Sequence, residues 1–392
     1  MNSIETETVS KRRLSPHSPG RLSRRLIPVL CALLCVASCL ISSCEKEATG
    51  DSLAESSSPE CDSMAGIDEA DASASGVYNA AAINRLTGLP LEDATLHNHR
   101  PIAVMINNIN VACPQEGISL AEVMYECTVE GGITRMMMLV NDYEKLPTVG
   151  SVRSCREYHL DFASNHNAIY AHIGGSEEAY TNIYNRQPDE LDGLRGDNFY
   201  FRDPERRANM GMEHSAMANG ELLQAAVEKR GFDTSMSDDT DTSFSFIPYT
   251  QEQDATASGG KAEKVIIPYT GVHQPRYEYD SETNKYKRWQ FIDWAHIDGT
   301  TGEQIAFTNV LVIACPHELR NDEKNHINVY TVGSGDGLFI SGGRYIKIRW
   351  SKDGVDEPLH LFREDGSPLL MNCGTTFVNI VAPQTMDAMT IE

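Results

Sequence analysis

The feature that most limits how this chain can fold is an apolar run over residues 26–41, which ends in the sequence Ser-Ser-Cys at Cys44. A segment rich in Lys and Arg precedes the run, and a polar segment follows it. This order is typical of a secretory signal peptide, and the run is shorter than the ~20 apolar residues that a membrane span needs. The sequence therefore predicts that residues 1–43 are a signal peptide and take no part in the folded body.

The end of the apolar run also indicates a lipid anchor. A branched apolar residue followed by two small residues and Cys is the pattern of a lipoprotein signal, and both Cys39 and Cys44 fit it. Apolar residues still follow Cys39, whereas a polar stretch follows Cys44, so we choose Cys44 as the lipidated residue. An uncleaved N-terminal anchor is the alternative. In either case the body is predicted to lie on the extracytoplasmic face of the cell membrane.

Charge argues against one class of partner. The formal net charge of the whole chain is −23. Residues 1–43 carry more basic than acidic side chains, so their removal leaves a still more acidic protein. Long-range attraction to nucleic acid would then have the wrong sign. The chain is therefore predicted to bind no nucleic acid.

Two polar segments divide the remainder of the chain. Residues 44–82 are mostly Ser, Ala, Asp and Glu, and a segment with so few large apolar groups is predicted to be a disordered tether. Residues 233–263 are again polar and acidic, and we interpret them as a linker. This division predicts one domain over residues 83–232 and a second over residues 264–392, as the length of the body allows.

The first domain is predicted to be α/β, a layered sheet with helices. The segment "RPIAVMINN" predicts a buried strand over residues 102–106. Further apolar runs alternate with helical segments, one of them beginning at Ser176 as its N-cap and another, "SAMANGELLQAAVEKRG", ending at Gly231. Strands that alternate with helices indicate a layered sheet.

The second domain is predicted to be β-rich and antiparallel. Its short β-branched or aromatic runs are interrupted by Gly, Pro, Asn and Asp, as in "TNVLVIAC", "RYIKIRW" and "TTFVNIVAP". The Gly-rich segment "GSGDG" at residues 333–337 lies between two such runs with no helix after it. We therefore interpret it as a hairpin turn and not as a nucleotide-binding loop.

The cysteines give little sign of a disulfide framework or of a metal site. The body contains an odd number of them with no Cys-x-x-Cys spacing, namely Cys113, Cys127, Cys155, Cys315 and Cys373. Buried free thiols are the favoured interpretation, and no metal site is predicted. Cys315 and Cys373 are the one pair that we single out for a disulfide, because both lie in strand-like segments of the same half.

Several motifs, taken in order, resemble a known family. They include "RPIAVMINN", "VGSVRSCREY", "IYAHIGGSEEAY", "FYFRDPERR" and "GDGLFISGGRYIKIRWSK". Together they are similar to the YerB-like lipoproteins of Gram-positive bacteria, whose biochemical function is unknown. The resemblance runs from about residue 83 to residue 383. It implies a lipid-anchored, two-domain extracytoplasmic protein, and it implies no reaction.

Within these motifs, arginines and a Gly-containing turn indicate an anion site. Arg is the side chain best suited to bidentate binding of phosphate and carboxylate. The turn "HIGGS" adds backbone N–H groups and a helix N-terminus, which also favour anions. We therefore predict a site for an anionic envelope component, such as a phosphate, a pyrophosphate or a sugar acid. The residues predicted to line it are Arg135, Arg153, Arg156, His172, Gly174, Gly175, Ser176 and Arg202.

A structural role is the alternative for these residues. The arginines would then pair with acidic residues of the same domain, for which Glu130, Asp161 and Asp203 are the candidates. His172, at the end of an apolar run, would be a core residue with its hydrogen bonds satisfied. Arg153 and Arg156 can share one face only if the segment between them is helical.

The chemistry of the protein stays open at this stage. No nucleophile elbow, His-Glu-x-x-His motif or phosphate-binding loop is present in the sequence, so the catalytic residues and any cofactor are unknown. A pattern of anchor, α/β domain and arginines is loosely similar to the LytR-CpsA-Psr phosphotransferases, and we transfer no residue from them. A non-catalytic scaffold that binds envelope proteins is the other alternative, supported by the aromatic residues Trp289, Trp294, Tyr345 and Trp350.

Overall fold

The computed structural model describes residues 82–392. The predicted signal peptide, Cys44 and all but the last residue of the predicted tether lie outside the described residues. Residues 82–392 belong to one compact unit. No helix in this part of the chain combines the length and the apolar character needed to cross a membrane.

The N-terminal half of the described chain alternates strands with helices. Its strands are β1 (Ile102–Asn108), β2 (Val123–Thr128), β3 (Thr134–Val140), β4 (Val149–Gly150), β5 (Ile169–His172), β6 (Glu190–Asp192), β7 (Tyr200–Arg202) and β8 (Ala216–Ala218). Its helices are α1 (Glu157–Ser164), α2 (Glu177–Arg186), α3 (Pro204–Asn209) and α4 (Gly220–Arg230). Short 3₁₀ helices occupy several of the connections, including Glu130–Gly132 between β2 and β3.

The C-terminal half is built almost entirely of strands. They are β9 (Gly260–Lys261), β10 (Lys264–Ile266), β11 (Arg276–Asp280), β12 (Lys285–Gln290), β13 (Trp294–Ala295), β14 (Ala306–Phe307), β15 (Asn309–Ala314), β16 (His317–Leu319), β17 (Ile327–Val329), β18 (Gly333–Ser341), β19 (Arg344–Lys352), β20 (His360–Arg363), β21 (Thr376–Val381) and β22 (Thr390–Ile391). A single short helix, α5 (Pro383–Asp387), precedes the last of these strands.

Strands from both halves form one central sheet. Its order is β20-β19-β18-β15-β21-β2-β3-β1-β5-β6, and β9 pairs with β19 outside this path. The halves meet where β21 runs parallel to β2, with Val123 opposite Thr376 and Cys127 opposite Ile380. Because backbone hydrogen bonds cross this junction, the two halves share a sheet instead of meeting only through side chains.

The two faces of the central sheet are covered differently. Alternate residues of a strand point to opposite faces, so β1 and β3 are apolar on both. One face packs against α1 and α2, with Tyr158, Phe162 and Ile183 in the same core cluster as Met105 and Met137. The other face packs against α4 and a second sheet, which consists of β10–β14 and β22. There Leu223, Tyr277 and Tyr286 join Val104 and Met136. Both core clusters contain residues of both halves.

Three smaller sheets complete the structure of residues 82–392. The largest of them covers the second core with the order β13-β12-β11-β10-β22, and β14 pairs with β12. A three-stranded sheet, β4-β8-β7, lies in the N-terminal half, and β16 pairs with β17. The predicted fold class is confirmed: an α/β N-terminal part precedes a β-rich C-terminal part.

Predictions that depend on a few neighbouring residues, such as a strand and two helix ends, agree with the structure. The predicted strand over residues 102–106 forms the first part of β1. Ser176 caps α2 by accepting a hydrogen bond from the backbone N–H of Ala179 at 3.1 Å, and Gly231 ends α4 with a left-handed φ of 68°. The helix that ends there is shorter than its predicted segment, since residues 216–218 form β8.

The segment 233–263, which we interpreted as an acidic linker, lies against the body. Its apolar residues Phe244, Ile247 and Ala255 are buried in the core cluster that contains residues of both halves. The backbone N–H of Ile247 donates to the carbonyl oxygen of Met371 at 2.9 Å. A few apolar side chains at suitable positions are therefore enough to hold a mostly polar segment in place.

One further detail of the C-terminal half differs from the sequence-based interpretation, whereas the state of the cysteines agrees with the favoured one. The segment 333–337 begins strand β18, and the hairpin turn falls at Gly342 and Gly343 instead. A Cβ atom on Gly335 would lie 2.6 Å from the indole nitrogen of Trp350, so this glycine permits a close approach inside the strand. The thiols of Cys315 and Cys373 are free and form no disulfide, as are the other three cysteines within residues 82–392.

Candidate functional site

The loop that carries Arg153 and Arg156 runs beside the turn at residues 172–176. The backbone N–H of Ile173 donates to the carbonyl oxygen of Arg153 at 3.1 Å. The backbone N–H of Cys155 donates to the carbonyl oxygen of Gly174 at 2.9 Å. The segment between the arginines is extended, and Arg156 is the N-cap of α1 with φ −124° and ψ 155°. The spacing of three therefore does not place the two guanidinium groups on one helical face.

Arg135 and Arg156 are both buried beside one carboxylate, that of Glu130. Nε of Arg156 donates to Oε2 of Glu130 at 2.9 Å, and its Nη2 contacts Oε1 of the same residue. Nη2 of Arg135 lies 3.7 Å from Oε1 of Glu130, and its Nη1 donates to the carbonyl oxygen of Ser154 at 2.7 Å. Burial acts to raise the pKa of Glu130, but its hydrogen bonds and charge contacts with the arginines lower it overall. These two arginines have the structural partner that we considered as the alternative.

The turn at residues 172–176 already has protein partners. His172 is fully buried, with Nδ1 2.9 Å from the carbonyl oxygen of Gly174 and Nε2 3.0 Å from Oε2 of Glu190. The backbone N–H of Gly174 donates to the carboxylate of Asp192 at 2.9 Å. The hydroxyl of Ser176 accepts the hydrogen bond that caps α2. Gly174 has a left-handed φ of 76°, so its glycine is required by the backbone conformation of the turn.

Arg153 and Arg202 lie nearer the surface and converge on another loop. Nη1 of Arg153 donates to the carbonyl oxygen of Glu213 at 3.2 Å and lies 3.3 Å from Oε2 of that residue. Nη1 of Arg202 donates to the carbonyl oxygen of Met212 at 2.7 Å. Nε of Arg153 has no hydrogen-bond partner among residues 82–392. The four predicted arginines therefore form two pairs, a buried one at Glu130 and a surface one at residues 212–213, while the predicted turn at residues 172–176 has separate partners.

A second polar cluster, which the sequence analysis missed, surrounds Glu126 in the other face of the central sheet. Its carboxylate is fully buried. It accepts hydrogen bonds from Nη2 of Arg288 and from Nε2 of His273, each at 2.6 Å. The side chains of Asn108 and Thr134 also donate to it, at 2.7 and 2.6 Å. Burial acts to raise the pKa of Glu126, but the charges of Arg288 and His273 and these hydrogen bonds lower it to about 2. The carboxylate is therefore held ionised.

The cluster extends from Arg288 towards the N-terminal half. Nη1 of Arg288 contacts Nδ1 of His296, whose Nε2 lies 3.1 Å from Oε1 of Gln115. Burial, reinforced by the nearby positive charge of Arg288, holds the pKa of His296 well below its usual value. The ring is therefore neutral, and its Nδ1 accepts from the guanidinium group. A single acidic residue inside the apolar run "VMYECT" was the one sequence signal for this cluster, because an acid in a buried strand requires partners.

Among residues 82–392, no group of three or more His, Cys, Asp or Glu side chains has a geometry suited to a metal ion. Three cavities in this part of the chain are relevant to binding. One, about 640 Å³, lies between residues 83–97 and the segment 240–250. A second, about 490 Å³, contains Glu157, Glu178 and Arg320. A third, about 350 Å³, adjoins the Glu126 cluster. None of these three is lined by the arginines predicted for the anion site.

Comparison with known proteins gives one consistent result. Residues 86–233 match the N-terminal domain, and residues 265–378 the C-terminal domain, of a family described as "Protein of unknown function (DUF3048)". The curated protein named "Putative lipoprotein YerB" of Bacillus subtilis (strain 168) is 27% identical over 302 residues, which cover 76% of this chain and 85% of that protein. The crystal structure of the YerB protein from Bacillus subtilis superposes with a TM-score of 0.68 at 25% identity, covering 79% of this chain and 99% of that one. The chain belongs to the DUF3048 family, and it is similar to YerB in sequence and in fold.

Proposed function

We propose that the protein is a lipid-anchored binding protein of the extracytoplasmic face, attached to the membrane through Cys44. The similarity to a lipoprotein supports membrane anchoring, and the Ser-Ser-Cys sequence with the polar segment after it supports Cys44 as the acceptor. Labelling cells with a radioactive fatty acid tests this assignment. Wild type should incorporate the label and Cys44→Ser should not, with Cys39→Ser as the matched control. Loss of label in Cys39→Ser with full label in Cys44→Ser would show that Cys39 is the lipidated residue.

We further propose that the ligand is an anionic envelope component held at Arg153 and Arg202. The single observation that carries this proposal is the convergence of these two guanidinium groups on the surface loop at residues 212–213. The acidic partner of Arg153 there, Glu213, has a side chain that is 72% exposed. An exposed ion pair contributes little to stability, so a bound phosphate or carboxylate can replace Glu213 at small cost. Arg135 and Arg156, fixed on Glu130, would hold the loop that positions Arg153.

Calorimetric titration of the detergent-solubilised full-length protein tests the anion site. The ligands are inorganic phosphate, pyrophosphate and glucuronate, each with and without magnesium. Arg153→Lys should weaken binding roughly ten- to a hundredfold, because an ammonium group cannot reproduce the bidentate contact. Arg207→Lys, at an exposed arginine of α3, is the matched control and should bind as the wild type does. Absence of heat with every anion, or an equal loss in both variants, would contradict the proposal.

A non-catalytic scaffold is the second candidate, and one observation favours it. Of the aromatic residues that suggested it, Trp350 is buried. Trp294 is 53% exposed and lines the same cavity as Val272, which is 72% exposed. Exposed Trp beside an exposed aliphatic side chain is typical of interaction surfaces. A scaffold would show no response to any of the anions. A phosphotransferase given no other acceptor would transfer the terminal phosphoryl group of a polyprenyl pyrophosphate analogue to water, which releases inorganic phosphate and leaves polyprenyl phosphate. The same titration, followed by a phosphate assay, therefore separates the three functions.

A further inference from the structure

The cavity beside the Glu126 cluster lies where the two halves of the chain meet. It has a volume of about 350 Å³, which is within the range of small-molecule sites. The N-terminal half contributes the end of β1 and the start of β3. The C-terminal half contributes the loop before β11, the loop before β13 and the first residue of β13. The residues that the argument uses are Asn108, Thr134, Val272, His273, Phe291 and Trp294.

One wall of this cavity is a row of three rings. The centroids of His273 and Phe291 are 5.1 Å apart with an interplanar angle of 57°. Those of Phe291 and Trp294 are 5.7 Å apart with an angle of 78°. Contacts of this kind fix the orientation of the rings relative to one another. The outermost ring, that of Trp294, is 53% exposed, so the row leads from the Glu126 cluster out to solvent.

The loop that presents two of these rings has an unusual backbone. Phe291 and Ile292 have φ values of 46° and 74°, in the left-handed region that β-branched residues strongly disfavour. Arg276 holds this loop, since its Nη1 donates to Asp293 at 3.0 Å and its guanidinium group lies 4.6 Å from the ring centroid of Trp289. Strain of this type is concentrated at ligand sites, where the surrounding structure keeps a side chain in place for binding.

The floor of the cavity is polar, and its fixed charges balance. Asn108, Thr134 and His273 are each nearly fully buried, and all three donate towards Glu126. The positive charge of Arg288, which pairs with Glu126, neutralises the negative charge of its carboxylate. Nδ1 of His273 has no hydrogen-bond partner among residues 82–392. A buried ring nitrogen without a partner is rare, and a ligand hydroxyl is a group that can supply one.

We infer that this cavity binds a neutral saccharide, with one face of a sugar ring against Trp294 and Phe291 and its hydroxyl groups towards His273, Asn108 and Thr134. A saccharide fits because it combines an apolar ring face with several hydroxyl groups. An anion would meet the ionised carboxylate of Glu126 behind the floor, and a purely apolar ligand would leave Nδ1 of His273 without a hydrogen-bond partner. The site is separate from the arginines proposed to bind an anion.

The arrangement of the floor favours binding over turnover. In a Ser-His-Asp triad one ring nitrogen receives the proton of the nucleophile, and the other is held by the carboxylate. Here both partners lie at the same nitrogen, because Nε2 of His273 is 2.6 Å from Glu126 and 3.2 Å from the hydroxyl of Thr134. The histidine therefore cannot transfer a proton from Thr134 while Glu126 orients it from the other side. The cluster holds a rigid surface for a ligand.

Tryptophan fluorescence provides a direct test, because the chain contains only three tryptophans. The detergent-solubilised full-length protein is titrated with chitotetraose and, separately, with maltotetraose. A sugar ring against the half-exposed Trp294 should shift the emission to shorter wavelength in a saturable way with at least one of them. Trp294→Phe keeps a ring and should retain binding when it is followed by calorimetry. Trp294→Ala should weaken binding roughly five- to tenfold, as expected for the loss of one aromatic contact.

The controls separate this inference from the anion site. Tyr184→Ala removes another exposed aromatic side chain, 76% exposed on α2, and should bind sugars as the wild type does. Arg153→Lys should also leave sugar binding unchanged, so failure of either proposal is visible without the other. A wild-type protein that binds neither sugar up to about 10 mM, a concentration that detects even millimolar affinity, would overturn the inference. Equal affinity in wild type and Trp294→Ala would overturn it as well.

Discussion

Glu126 of β2 and Arg288 of β12 form an ion pair in which Nη2 of the arginine lies 2.6 Å from Oε2 of the carboxylate, and neither side chain is exposed to solvent. The two residues belong to different halves of the chain and to different sheets. The pair therefore joins the central sheet to the second sheet across the core between them. Two charges placed there require each other, because water cannot solvate either one.

Removal of one partner of this pair should be strongly destabilising. Arg288→Met leaves the Glu126 carboxylate buried without its main cation, and the free energy of unfolding should fall by about 3–5 kcal/mol. The double variant Glu126→Gln/Arg288→Met should recover much of this loss, since no uncompensated charge remains. Urea unfolding followed by circular dichroism measures both. Arg349→Met is the control, because its pair with Asp336 has side chains 52% and 63% exposed and should contribute about 0–1 kcal/mol.

Arg156 and Arg153 should respond differently to the same substitution. Arg156→Lys loses the two-point contact with Glu130 and the bond from Nη1 to the carbonyl oxygen of Cys155 at 2.7 Å, so unfolding should become easier by about 1–3 kcal/mol. Arg153→Lys changes only a partly exposed contact with Glu213 and should stay within about 0.5 kcal/mol of the wild type. Thermal unfolding without ligand measures the difference. Equal destabilisation would mean that Arg153 is also structural.

These two arginines illustrate what the sequence could and could not predict. Ser176 and Gly231 were identified correctly, because a helix cap depends on a few neighbouring residues. The spacing of Arg153 and Arg156 allowed a common face on the condition that the segment is helical, but Arg156 is an extended N-cap and α1 begins at residue 157. A spacing predicts neighbours only once the local conformation is known.

The Glu126 cluster could not be predicted from local patterns in the sequence. Glu126 and Arg288 are 162 residues apart, and they meet because β21 inserts between β15 and β2 and brings the C-terminal strands onto the N-terminal sheet. No local pattern encodes that pairing. The short β-branched runs predicted the strands of the C-terminal half well, since residue composition and turn residues are local. Their order in the sheet depends on contacts distant in sequence, which a single chain does not reveal.

Buried neutral histidines should make the protein sensitive to acid. Burial lowers the pKa of His166 to about 3 and, together with Arg135 and Arg156, holds the pKa of His159 well below its usual value. Such a group takes up a proton in the unfolded chain but not in the folded one. Its stabilising effect is therefore complete above pH 6.5 and falls as the pH decreases below that value, by about 1.4 kcal/mol per pH unit for each histidine.

His159→Phe isolates this effect. Both ring nitrogens of His159 lack hydrogen-bond partners among residues 82–392, and the ring contacts Tyr158 and Phe162, so a phenyl ring suits the site. Between pH 7 and pH 5 the variant should lose about 1–2 kcal/mol less stability than the wild type. Glu122, whose pKa burial raises to about 7, acts in the opposite direction over this range in both proteins. Urea midpoints at several pH values give the comparison, and parallel curves would contradict the prediction.

The shared sheet leads to a prediction about cleavage of the chain. Residues 248–252 are all exposed and lie within the acidic segment between the two predicted domains. A protease site inserted after Thr250 should therefore be cut readily, while the central sheet on both sides stays folded. Because β2 of the first fragment pairs with β21 of the second, and both core clusters contain residues of both fragments, the two pieces should stay together. Size-exclusion chromatography of the nicked protein should show one peak at the volume of the uncut chain, which separates into two only in denaturant. Two folded fragments that separate without denaturant would instead show that residues 83–232 and 264–392 are independent domains.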